Sequence, residues 1–340
     1  MKKHLRLVSL VILVAVLFAA CGTGADVEVE EAAVVEEEAA EPLTIALVYG
    51  IQGDAFYITM EKGARAKAEE LGVELVADGP SKWDPAVQTP IVDAMIAKSV
   101  DALINVPNDP QAMIAPLQRA YDAGMPVLTT DQYVGDGDYE NGSVTFPLSV
   151  IASDNFEGGK IACEALIEEI GGEGQIYVLT STANVPSDIA RRDGCIAAID
   201  AVEEVTLAGV DYTESSAPIA TNQTQAMLQK EPELDAIFGA NLFSAQGAAA
   251  AIKSAGLEGV VKIASFDAPE QAIVDLRNNV IDMVIAQQPG LIGELAVQYA
   301  YDALMGNVDG IPAKVNTPFV VITRDNVDTP EAQAAIYKSN

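Results

Sequence analysis

The chain has 340 residues, half of them hydrophobic and only 6% aromatic, with a formal net charge of −31. So acidic a surface repels nucleic acid and anionic lipid headgroups, which removes both as partners of the folded part. One histidine, His4, and three cysteines are present.

At the N-terminus, Lys2, Lys3 and Arg6 flank or precede an apolar run from Leu7 to Ala20 that only Ser9 interrupts. The run has the length of a secretory signal core and falls short of the roughly 20 apolar residues that span a bilayer. It ends Leu17-Phe18-Ala19-Ala20-Cys21. Small residues before a cysteine resemble a bacterial lipobox, although Phe18 stands where Leu or Val is commoner. That resemblance implies cleavage after Ala20 and a lipidated Cys21 as the new N-terminus; the plainer reading is an ordinary signal peptide. Loss of residues 1–20 removes three positive charges and takes the net charge from −31 to −34. It also removes His4. Ser-His-Asp and Cys-His nucleophile systems are then excluded, as are His-ligated zinc and iron sites, and carboxylate chemistry is what an enzyme would have left.

Residues 22–42 carry eight acids, no base and no aromatic. Together with Cys21 this stretch, 21–42, is expected to be a disordered acidic tether. The rival, a Glu/Ala helix, is opposed by the like charges of Glu36, Glu37 and Glu38. An exported, lipid-anchored domain in the periplasm or on the outer face of the cytoplasmic membrane is the expectation.

About 300 residues follow, enough for one large domain or two ordinary ones. Strands are predicted at 43–49, 73–76, 102–106, 126–129, 149–152, 175–179, 205–210, 236–239, 261–265, 283–286 and 318–323. Helices are predicted at 56–71, 85–97, 110–123, 156–170, 187–202, 219–229, 244–255, 269–278, 290–305 and 330–339. Strands such as DALINV and DAIFGA are apolar throughout rather than alternating, which marks burial on both faces of a parallel sheet. The fold class is α/β, with right-handed crossovers. The pattern divides into two halves near Ala152, after the irregular acidic stretch at 133–147. Cys163 and Cys195 remain in an oxidising compartment, either as a disulfide or as two buried thiols.

Ligands of open parallel sheets bind beyond the carboxyl ends of the strands. Those positions hold Asp54, Phe56, Tyr57, Asn108, Asp109, Asp131, Gln132, Asn184, Ser187, Arg191, Asn241, Asp267, Gln287 and Gln288. Carboxylates and amides suit vicinal hydroxyls, a guanidinium offers a fork of donors, and aromatic rings lie on the C–H face of a sugar. No glycine-rich phosphate loop follows any strand. A neutral polyol is the expected guest, with no cofactor and no metal.

With IALV…GDAFYITMEKGARAKAEELG, DALINVPNDP, PVLTTD, ASDNFEGGKIA, ARRDGCIAAI, DAIFGAN, SFDAPE and VIAQQPGLIGELAV in this order, the chain resembles the type I periplasmic-binding-protein-like sugar receptors of ABC transporters, of the ribose- and galactose-binding sort. The resemblance runs from Leu43 to about Asp325. It implies two similar doubly wound parallel-sheet lobes, 43–151 with 288–320 and 152–287 with 321–340. A three-strand hinge would join them and a ligand cleft would lie between them. It implies a monomer that binds a pentose or hexose by closure, without catalysis, and delivers it to a membrane permease. The site residues it implies are Asp54, Phe56, Tyr57, Asp131, Gln132, Arg191, Asn241, Asp267 and Gln287.

Departures from the ribose-type pattern leave the sugar unnamed. Gln132 replaces an Arg after the fourth-strand Asp. Glu214-Ser215-Ser216 lacks the aromatic of the second lobe, with Tyr212 the nearest substitute. Each aspartate could also be a helix cap, and Asp154 and Asn155 would serve the hinge or cap the next helix. Phe56 could belong to the core, Tyr57 is the one expected to reach solvent, and Trp83 is expected at the rim rather than as a stacking platform. Three other functions compete. One is a receptor for a signalling molecule. Another is a glycosidase using Asp131 and Asp267. The third is the effector domain of a sugar-responsive repressor, opposed by the export signal and the acidic charge.

Overall fold

The computed structural model describes residues 42–338; the predicted signal segment, Cys21 and the tether up to residue 41 lie outside them. Within them the alternation of β and α produces two six-stranded sheets. The first contains β1 (Thr44–Val48), β2 (Glu74–Asp78), β3 (Ala102–Asn105), β4 (Val127–Thr130), β5 (Val150–Ser153) and β11 (Lys314–Thr317), ordered β11-β5-β4-β3-β1-β2 and all parallel. The second contains β6 (Gly174–Thr180), β7 (Val205–Tyr212), β8 (Ala236–Gly239), β9 (Lys262–Phe266), β10 (Met283–Ala286) and β12 (Val320–Thr323), ordered β12-β10-β9-β8-β6-β7. Its β10–β12 pair is antiparallel and the rest parallel. The two orders coincide when β1 is matched with β6 and β4 with β9, so the ends of β4 and β9 are equivalent places in the two lobes.

The apolar strands are buried because helices cover both faces of each sheet. In the first lobe α1 (Ala55–Leu71) and α9 (Pro289–Leu304) lie on one face, α2 (Pro85–Ala97) and α3 (Ile114–Asp122) on the other. In the second, α4 (Asn155–Glu169) and α5 (Pro186–Asp200) face α6 (Ala217–Lys230), α7 (Leu242–Ala255) and α8 (Glu270–Arg277) across the sheet. Helices α4 and α5 touch backbone to backbone: a Cβ on Gly159 would run into the Arg191 carbonyl, and one on Gly194 into that of Phe156. Cys163 of α4 and Cys195 of α5 are bonded to each other at this contact, both fully buried, with Cα atoms 5.0 Å apart. The disulfide is thus the alternative that the fold adopts.

The chain passes between lobes three times: after β5 into α4, after β10 into α9, and from β11 to β12 through Pro318 and Phe319. Three elements differ from the sequence expectation. The α3 helix begins at Ile114 rather than 110, because the Asp109 carboxylate accepts from the amides of Gln111 and Ala112 and holds a turn there. β11 is absent from the sequence expectation; its KVNT is short and half exposed at a sheet edge, so it has no apolar run to announce it. The last helix, α10 (Pro330–Ala334), stops well before 339, and the chain continues inward, where Tyr337 bridges to Pro269.

Candidate functional site

Asp54, Phe56, Tyr57, Asp131, Gln132, Arg191, Asn241, Asp267 and Gln287, named from strand ends, all line one cavity between the two sheets. The cavity volume is about 60 Å³, several times the roughly 10–15 Å³ that holds one water. Local structure explains their convergence. Asp54 caps α1, accepting from the Phe56 amide at 2.8 Å, and the cap points Phe56 and Tyr57 inward from the first turn. Asn241 caps α7 in the same way through the Ser244 amide at 2.9 Å. Capping and cavity lining therefore coexist at both positions. Asp131 and Asp267 follow the equivalent strands β4 and β9, and both have left-handed backbones, φ 60° and 77°. Such a conformation is strained for an L residue other than glycine, and it turns each carboxylate off the strand end into the cleft.

The carboxylates are held by fixed donors. Asp131 Oδ2 accepts from the Tyr57 hydroxyl at 2.8 Å and from Gln132 Nε2 at 3.1 Å. Asp267 accepts from Gln287 Nε2 at 2.7 Å, the Leu242 amide at 3.2 Å and the Tyr337 hydroxyl at 3.1 Å. Arg191 is 3% exposed rather than solvated. It donates from Nε to Asn155 at 2.7 Å and from Nη1 to the Ala240 carbonyl at 3.0 Å, and it pairs with Asp188 at 3.4 Å. Its Cζ lies 3.9 Å from the centre of the Phe266 ring, a cation–π contact. Burial pushes the Asp54 carboxyl up to about 7, with the Asp267 charge adding to it. Burial also raises Asp131 to about 6, against the opposing pull of Arg191 and the Tyr57 hydrogen bond.

Polar atoms around the cavity with no partner among the described residues include Asp54 Oδ2, Asp131 Oδ1, Arg191 Nη2, Gln287 Oε1 and Trp83 Nε1. Of these, three are acceptors and two are donors. Rings of Phe56, Tyr57, Trp83 and Phe243 form apolar walls between them. That arrangement offers hydrogen bonds to a guest whose groups both donate and accept, and flat surfaces to its C–H faces. Among the described residues no cluster of three or more acidic or sulfur ligands could hold a metal.

Several expectations change. Tyr57 does not reach solvent; both it and Phe56 are buried at 5% and 4% exposure. Trp83 is a wall rather than rim packing, stacked on Tyr57 with centroids 6.3 Å apart and planes at 25°. Tyr212 is not the second lobe's aromatic: it is exposed and takes a hydrogen bond from Arg192, while Phe243 of α7 lines the cavity instead. Asp154 caps α4, one of its two expected roles, whereas Asn155 supports Arg191. Asn108, Asp109, Asn184 and Gln288 are not brought to the cavity. Sequence reading gave Asp188 no role. Its carboxylate takes hydrogen bonds from Ser181 and from Asn241 at 3.2 Å while pairing with Arg191. The i, i+3 spacing of Asp188 and Arg191 was the available signal.

Comparison with known proteins agrees with the geometry. A family model described as a periplasmic binding protein domain matches residues 45–307. The ribose import binding protein of Haemophilus influenzae is 30% identical over 82% of this chain and 91% of its own length. A crystal structure of an ABC transporter solute-binding protein from Agrobacterium vitis, bound with α-D-tagatopyranose, is 39% identical with a TM-score of 0.84, over 87% of this chain and 99% of the other. A second protein of that organism, with bound D-fucose, is 28% identical with a TM-score of 0.80, over 86% of this chain and all of the other. With two matched lobes, a cleft between them and this agreement across most of its length, the chain belongs to the periplasmic binding protein domain family.

Proposed function

We propose that the protein is the binding component of an ABC importer and takes one monosaccharide, a pentose or hexose, without altering it. The carrying observation is the set of unpartnered donors and acceptors, drawn from both lobes, around one aromatic-walled cavity. The relatives support it: they are named as import or solute-binding proteins, two of them with a monosaccharide bound. Asp54, Asp131 and Gln287 accept from sugar hydroxyls, Arg191 donates, and Phe56 and Tyr57 lie against the ring. Asn241 and Asp267 complete the polar wall. Gln132 lines the cavity, but both of its N–H groups are already engaged, with Asp131 and Ser187.

The mechanism is closure. The lobes turn about the three crossing segments; they run 43–153 with 288–317 and 154–287 with 320–338 rather than dividing at 151/152 and 320/321, because β5 extends to Ser153 and Val320 already pairs with Ala286. A ligand touching both lobes favours the closed form by its differential affinity. A membrane permease then takes the closed monomer. The mature chain is held at the membrane by lipid on Cys21, and Cys21→Ser would release it in soluble form.

The test is a thermal-shift screen of the mature domain against aldoses and ketoses, followed by calorimetry. A ligand at 100 times its Kd stabilises the folded state by about 2.7 kcal/mol. No shift with any monosaccharide, alongside binding of an unrelated signalling molecule, would overturn the reading.

A further inference from the structure

Resting on the binding reading above, we propose that Tyr337, near the C-terminus, is a positioning residue of the binding site. It is fully buried, and its ring meets the Phe56 ring edge to face, centroids 5.8 Å apart. Its hydroxyl does two things at once. It donates to Asp267 Oδ1 at 3.1 Å and accepts from the Gln287 backbone amide at 2.9 Å. One side chain therefore touches three of the residues around the cavity without lining that cavity itself.

The geometry gives those contacts a purpose. Gln287 Nε2 is bound to the same Asp267 oxygen at 2.7 Å. The Gln287 carboxamide is planar, so fixing its nitrogen fixes the direction of Oε1, the acceptor left free. Tyr337 holds both ends of that pair: the carboxylate by donation and the glutamine backbone by acceptance. Gln287 is also where the chain crosses from β10 to α9. Behind it lies a second cavity lined by Thr59, Gln288, Glu294, Glu331 and Tyr337. Gln287 lines both spaces, and Tyr337 lines only the second.

The segment is anchored on both sides. The Tyr337 amide donates to the Ala268 carbonyl at 2.9 Å, next to Asp267. The following amide, of Lys338, donates to Thr59 of α1 at 3.0 Å, in the other lobe. The early end of α10 is what lets the chain turn inward to make these contacts.

The test uses Tyr337→Phe, which keeps the ring against Phe56 and removes only the hydroxyl. Without ligand, the Gln287 amide loses its partner, and its hydrogen exchange measured by NMR becomes faster. With a monosaccharide that binds the wild type, Kd rises about tenfold. In a double-mutant cycle with Gln287→Ala the two losses are not additive, because they act through one pair. Thr329→Ala, which removes the α10 cap, is the control: it lowers the melting temperature and leaves Kd unchanged. If Tyr337→Phe speeds exchange and lowers the melting temperature but leaves Kd within twofold, Tyr337 serves the fold alone and the proposal fails. If no monosaccharide binds the wild type, the binding reading fails and takes the proposal with it, while the exchange measurement still reports the contact.

Discussion

Replacing Gln132 by alanine separates closure from recognition. Gln132 follows β4 in the first lobe, and Ser187 opens α5 in the second. Gln132 Nε2 donates to Ser187 Oγ at 2.6 Å, and the Ser187 amide donates back to Gln132 Oε1 at 3.3 Å. Both bonds are buried and join the lobes without passing through a ligand. A net hydrogen bond is worth about 0.5–1.5 kcal/mol, so the pair is worth about 1–3 kcal/mol, or a factor of roughly 5–150. The bonds exist only when the lobes are together, so their loss depopulates the closed form and weakens every ligand by that one factor. Calorimetric Kd values for wild type and Gln132→Ala across several aldoses and ketoses would then stand in a constant ratio. Ser187→Ala keeps the backbone donor and gives the smaller part of the effect, and the double variant is no weaker than Gln132→Ala alone. A ratio that changes strongly from sugar to sugar would refute the reasoning and make Gln132 a residue that reads the ligand.

Asp54→Asn alters the pH dependence of stability in the ligand-free protein. Burial holds Asp54 near 7 against an ordinary 3.8, so between about pH 4 and 7 the folded state keeps a proton that the unfolded chain has released, and stability falls as pH rises. The variant's melting temperature should equal that of the wild type near pH 4 and exceed it increasingly up to pH 8; a constant difference in scanning fluorimetry would contradict this. Replacing Cys163 and Cys195 by alanine opens a link with a sequence separation of 32. It should remove about 3–4 kcal/mol in denaturant unfolding, and an unchanged midpoint would show the bond to be idle. Gly159→Ala forces a Cβ against the Arg191 carbonyl. It should cost about 1–3 kcal/mol of stability and also weaken binding, since α5 carries Ser187, Asp188 and Arg191; loss of stability with Kd intact would show that the helix shift does not reach the site.

Much of this architecture was legible because it is written locally. Buried parallel strands are short apolar runs, and their carboxyl ends can be counted off without knowing how the chain packs, which is why Asp131, Arg191 and Gln287 could be named. What escaped depends on the third dimension. Trp83 precedes α2 by two residues and looks like surface until Tyr57 stacks on it. Phe243 is the second residue of a helix whose cap, Asn241, is the more conspicuous side chain. Tyr337 sits 70 residues from its carboxylate partner, and no periodicity connects them. β11 is polar and half exposed, and is held as a strand only by its pairing with β5.

The threefold crossing of the chain bears on how the molecule is made. Helix α9 (Pro289–Leu304) covers β3, β4 and β5, and β11 completes that sheet, yet both are synthesised after the whole central part of the other lobe. The second lobe in turn waits for β12 at its edge. A chain delivered N-terminus first therefore cannot finish either half until residues 289–323 have arrived, and the two halves mature together rather than in sequence.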